Sequence, residues 1–124
     1  MKSFIVASAI MILLIATIIP TSLFISSRLD DIYIMVEKLP EDEFEREELV
    51  GMIEQIEDAW NKNRNLIELT VPLHETLRAD VEIINIRSYA KSNNPEGYNA
   101  SRNRLLSVIH DMRDSESISW QNIL

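Results

Sequence analysis

Apolar positions along this chain fall into one long block followed by spaced series. Phe4 to Ile25 is a run of 22 residues without a charge. At about 1.5 Å per residue such a helix reaches roughly 33 Å, enough for a hydrocarbon core of about 30 Å. Beyond it, apolar residues recur at intervals of three and four, while strand-like alternation is weak, which predicts helices throughout. Leu29, Ile32, Val36 and Leu39 share one face and carry the first helix onward until Pro40 breaks it. Leu49, Ile53, Ile56, Trp60, Asn63 and Ile67 form a second seam, and Leu73, Leu77, Val81 and Ile84 a third. Tyr98, Leu105, Ile109 and Met112 are the expected buried positions of a fourth helix. The expected fold is all-α: an N-terminal transmembrane helix continuing into a stalk, then a small antiparallel helical bundle.

Local signals place the boundaries. Asp42 with Glu45 three residues on fits a capping box, and Glu43, Glu45 and Glu47 suit the positive end of the helix dipole. Pro72 either starts the third helix or kinks a longer one, because the apolar spacing carries on from Ile67 through Thr70 and His74; a break near Thr70 to Pro72 is the preferred reading. In "SNNPEGY", Asn94 is the expected N-cap and Pro95 the first helical residue. The tail "SISWQNIL" carries Ile118, Trp120, Ile123 and Leu124 and is expected to fold back on the bundle.

Whether the first span is a cleaved signal or a retained anchor sets the domain reading. A secretory signal has an apolar region of about 7–15 residues and small residues at the cut, and this run is longer with poor cut sites. The span is therefore expected to stay, with residues 1–27 as a membrane anchor and 28–124 as an acidic extracytoplasmic helical domain. Lys2 precedes the span and few basic residues follow closely, which favours the N-terminus in the cytoplasm. No cysteine is present, so lipidation, disulfides and thiol chemistry are unavailable.

Charge sharpens the picture further. The net charge of −8 is uneven: residues 30–58 hold twelve acids against Lys38 and Arg46, whereas 59–124 balance at eight of each sign. That acidity disfavours nucleic acid, and a solvated helix face is its ordinary explanation.

Candidate chemistry is sparse. His74 and Glu75 look like the start of a metalloprotease helix motif, but Arg78 stands where the second histidine belongs. His110 with Asp111 and Asp114 is the other cluster with ligand-type side chains, and no glycine-rich phosphate loop exists. No catalytic, cofactor-binding or metal site is assigned, and no cofactor is expected. The "NAS" at Asn99 matches the glycosylation pattern only cheaply. Trp60 reads as a core anchor and His74 as a structural histidine, partly buried between Leu73 and Leu77. Tyr33, Ile34 and Met35 sit in the apolar row "IYIMV", more apolar than one stripe needs, and are the candidate partner contacts.

The N-terminal "MKSFIV" span, "AWNKNRNLI", "LHETL" and the terminal "NIL" together resemble the domain of unknown function 4363 family, small single-span proteins of Gram-positive bacteria. The matching positions are Trp60, His74 and Asn122 to Leu124. The resemblance implies no known activity and makes a membrane-protein partner plausible. The functional expectation is a membrane-anchored interaction module, an accessory to another membrane protein or a homodimer, in contact with the bilayer. The alternative is a secreted or anchored hydrolase using His74 and Glu75.

Overall fold

The computed structural model describes the backbone of residues 2–40 and 46–123, with the side chains of all of these except 18–22 and 116–123. Four helices make up the described residues: α1 (Lys2–Glu37), α2 (Arg46–Ile67), α3 (Leu73–Lys91) and α4 (Pro95–Ile123). Each packs on its neighbour in the chain, and α4 closes the ring against α1, so that α1 lies diagonal to α3 and α2 to α4. Neighbours run antiparallel, as short connections dictate. The α1–α4 pair shows the direction: the Tyr98 hydroxyl near the start of α4 donates to the Pro40 carbonyl at 2.7 Å, while Arg113 further along meets Asp30 at 2.9 Å.

The connections follow from their residues. α2 ends at Ile67, Val71 plugs the core from the turn, and Pro72 with ψ 142° leads directly into α3. The break thus falls where Pro72 was expected to impose it. The Ser92-Asn93-Asn94-Pro95 stretch does three jobs in succession. Asn93 takes the left-handed conformation (φ 56°), which asparagine tolerates better than most residues. The amides of Asn94 and Asn93 then reach back to the Tyr89 and Ala90 carbonyls, closing α3 in a Schellman motif. Asn94 next caps α4, its Oδ1 accepting from the Gly97 amide at 3.0 Å, and Pro95 opens that helix. The proposed cap at Asp42 lies outside the described residues, as do the side chains of the apolar tail from Ile118 to Leu124.

The core is one continuous cluster. α2 contributes Leu49, Ile53, Ile56, Trp60 and Ile67, and α4 contributes Tyr98, Leu105, Val108, Ile109 and Met112. From α1 come Ile25, Leu29, Ile32 and Val36, and from the turn after it Leu39, each at most 2 % exposed. This corrects the stalk: those residues are one wall of the bundle. The helix that begins at Lys2 crosses residue 27 unbroken and becomes a full member of the core.

The membrane reading is corrected as well. Among the described residues no helix is long and apolar enough to cross a membrane. The transmembrane anchor, the bilayer as partner and the single-pass extracytoplasmic placement fall together on that finding.

The third correction concerns α3. Leu73, Leu77, Val81 and Ile84, expected to face inward, are all exposed, while Thr76, Ala79, Ile83, Ile86 and Ala90 are buried. α3 makes its most extensive contact with α4. The buried face mixes the small side chains at 76, 79 and 90 with Ile83 and Ile86, and the row of four large aliphatics is left outside.

Candidate functional site

Two features meet on the α2–α3 side of the bundle. The first is an exposed apolar row on α3. Leu73 is 60 % exposed, Leu77 48 %, Val81 53 % and Ile84 65 %. With 100° per residue these four lie within an arc of roughly 80° and extend over roughly 16 Å of helix. Leu69, in the turn before α3, is 70 % exposed.

The second is a groove of about 350 Å³ between α2 and α3, lined by Glu57, Trp60, Arg64, Asp80, Ile83 and Ile84. Ile84 belongs to both features, so the row runs into the groove. Asp80 organises the groove wall. It accepts from the Trp60 indole Nε1 at 2.6 Å and from Arg64 through Nε at 3.1 Å and Nη2 at 2.8 Å. Arg64 also pairs with Glu68 one turn along α2 at 2.6 Å. Burial pushes the Asp80 carboxyl up, but hydrogen bonds from Arg64 and Trp60 and the guanidinium charge outweigh it and hold the group below its ordinary value. The hydrogen bond to Asp80 likewise raises Arg64. Further along, Arg87 meets Glu57 at 3.2 Å across the same two helices.

The charged groups at the rim are paired with one another inside the chain, and beside them the groove offers the Asn61 amide and the aliphatic surface of Ile83 and Ile84. A nucleophile, an acid and a base converging on one point are not among these lining groups.

The residues singled out from sequence are dispersed. Trp60 is 2 % exposed, with its ring in the core and its N–H on Asp80. His74 is exposed on the outward side of α3 rather than partly buried, because the face that carries it is not the core face. Glu75 is buried and accepts from the Ser115 hydroxyl at 3.1 Å. Consecutive helical residues diverge by about 100°, so His74 and Glu75 share no cleft. Tyr33 and Met35 are half-buried against the core, and Ile34 is 46 % exposed. His110 lies 3.4 Å from Asp114, while Asp111 approaches Arg78 at 3.9 Å. Among the described residues no group of three or more ligand-type side chains could hold a metal.

Asp80 and Arg64 went unremarked in the sequence. The available signal was an acid and a base each on the flank of an apolar seam, which becomes informative only once two helices are known to be neighbours.

No family model, no curated protein and no solved structure matches the chain. The resemblance to the domain of unknown function 4363 family is thereby corrected. It rested on short segments, two of which, around Trp60 and His74, are set on different helices with different exposure, and on a terminus whose side chains lie outside the described residues.

Proposed function

We infer that the chain is a helical interaction module that presents one face of α3 to another helix. The observation that carries this reading is the apolar row from Leu73 to Ile84. An isolated exposed leucine needs no explanation, but four large aliphatic side chains aligned along one helix make a contiguous patch on the order of 400 Å². A monomer's largest apolar patch is typically about 300–600 Å² and often functional, and this row falls in that range. The closed ion pairs Arg64–Asp80 and Arg87–Glu57 support the same reading. They form a rim that stays neutral and fixed beside the apolar strip, as interfaces place polar groups around an apolar centre.

A photoreactive amino acid at position 77, on the row, tests this in intact cells against the same probe at Asn103, exposed on α4. Covalent protein adducts at 77 and none at 103 are expected. Equal labelling at both positions, or none at 77, would refute the assignment.

A further inference from the structure

We propose that the partner of the α3 face is a second copy of this chain, packed antiparallel about a two-fold axis near position 79. The inference rests on the reading of α3 as a contact face and names its occupant.

The spacing of the row argues for self-pairing. Its intervals are four, four and three, and reversal of the helix direction very nearly reproduces them. With the axis near position 79, Leu77 stands opposite Val81 of the second copy and Leu73 opposite Ile84. Every large side chain in the row then meets another, and the contact closes because each patch is its own complement. The groove fits the same register. Ile83 and Ile84 line it beside Trp60, so Leu73 of the second copy, 60 % exposed, meets Ile84 at the edge of the groove. The two-fold axis repeats this contact at both ends.

Charge permits what the net charge alone would forbid. Two copies at −8 repel, but α3 carries Glu75, Asp80 and Glu82 against Arg78, Arg87 and Lys91, a balance of zero. Asp80, Glu82, Arg78 and Arg87 are each paired within the chain, so no unpaired carboxylate is buried when the faces meet. The area is at the small end for a pair of copies. The row supplies on the order of 400 Å² per copy, about half of the roughly 800 Å² that a standard interface buries on each side. Leu69 and the groove margin supply further surface at both ends.

The chain has no cysteine, so introduced ones report alone. Full-length chains bearing Leu73→Cys are mixed with differently tagged chains bearing Ile84→Cys and oxidised gently. The expected product is the mixed disulfide, well in excess of either like-with-like dimer, because in this register like positions lie about 16 Å apart along the axis, out of disulfide reach. Both positions are exposed, so the substitutions leave the core intact, and circular dichroism confirms it. Absence of the mixed disulfide, or like pairs formed as readily as mixed ones, overturns the dimer. The adduct trapped from position 77 separates the two claims. A mass of twice the chain supports the dimer. An adduct only with a different protein overturns the dimer and leaves the interaction module standing. No adduct at all overturns both.

Discussion

Removing the Asp80 carboxylate should uncouple α2 from α3 at one identifiable bond. Trp60 is 2 % exposed, and its Nε1–H donates to Asp80 at 2.6 Å. In Asp80→Ala that donor loses its acceptor. A buried donor left unsatisfied costs about 1–3 kcal/mol. The groove outside is open, so water partly replaces the carboxylate, and the lower half of that range is expected. Arg64 loses one of its two partners but keeps Glu68, and screening keeps that loss minor. Alanine is the better helix former by about 0.5 kcal/mol, which offsets part of the cost. A single-mutant comparison therefore blurs the effect, and a double-mutant cycle isolates it. Phenylalanine has no N–H, so in a Trp60→Phe background Asp80→Ala should be cheaper by about 1–2 kcal/mol. Helix propensity and the Arg64 contribution cancel between the two backgrounds. Urea unfolding followed by far-UV circular dichroism reads all four proteins. A coupling below about 0.3 kcal/mol, the level at which independent sites simply add, would refute the claim that the indole–carboxylate bond ties these helices together.

Asp80 also sets an acid limb: its folded-state value lies below the ordinary 3.8, so its contribution is complete above that pH and fades as pH falls through the folded value. The stability difference between the wild type and Asp80→Asn should be flat near neutrality and shrink only below about pH 3.8, as urea midpoints across pH will show. Asn94→Ala removes the cap on the Gly97 amide and should cost about 1 kcal/mol in the same assay, with Asn94→Ser recovering most of it. Gly97→Ala places a methyl 2.5 Å from Cδ1 of the Tyr89 ring, so the half-buried ring must move; a loss of about 1–3 kcal/mol is expected despite the gain in helix propensity.

The helices themselves were legible because their punctuation is strong. Pro72 and Pro95 sit at helix starts, and Asn94 was identifiable as a cap from its place before a proline. The seam of α2 was legible too, because its large residues all lie on one side and the other side is charged. α3 defeated the same method for a definite reason. It is apolar on two faces, one a row of large aliphatics and one mixing small side chains with Ile83 and Ile86, and size is a poor guide to which is buried when a neighbouring helix comes close. Ala79, Ala90 and Thr76 gave no hydrophobic signal of their own, yet they are what α4 packs on. α1 misled differently. Its first half suggested a bilayer, and that colour spread to Leu29, Ile32, Val36 and Leu39, whose spacing was read correctly and whose setting was not. The Trp60–Asp80–Arg64 cluster could not be read at all, since Asp80 lies 16 residues from Arg64 and 20 from Trp60 and joins them only through the packing of α2 on α3.

The arrangement of the ring also explains how one small chain can carry both an acidic surplus and an apolar contact face. The surplus lies in residues 30–58, and among the described residues Asp30, Asp31 and Glu37 carry it on α1 while Glu47, Glu48, Glu54, Glu57 and Asp58 carry it on α2. α3 is diagonal to α1, with no contact between them. Neighbouring helices pack at about 8–10 Å, so the diagonal of a four-helix ring is roughly 12–14 Å. The screening length at physiological ionic strength is about 8 Å. Asp30, Asp31 and Glu37 on α1 therefore lie more than one screening length from the Leu73–Ile84 row. On the side facing that row, Arg64, Arg87 and Arg78 each neutralise a carboxylate within the same chain. Exchanging α1 with α4 in the ring would set α1 beside α3 and bring Asp30, Asp31 and Glu37 towards the row. The same residues would then oppose the approach of a like-charged copy. Connectivity, through the short turns that make each helix pack on its chain neighbour, is what keeps the α1 carboxylates and the apolar row on opposite corners of the bundle.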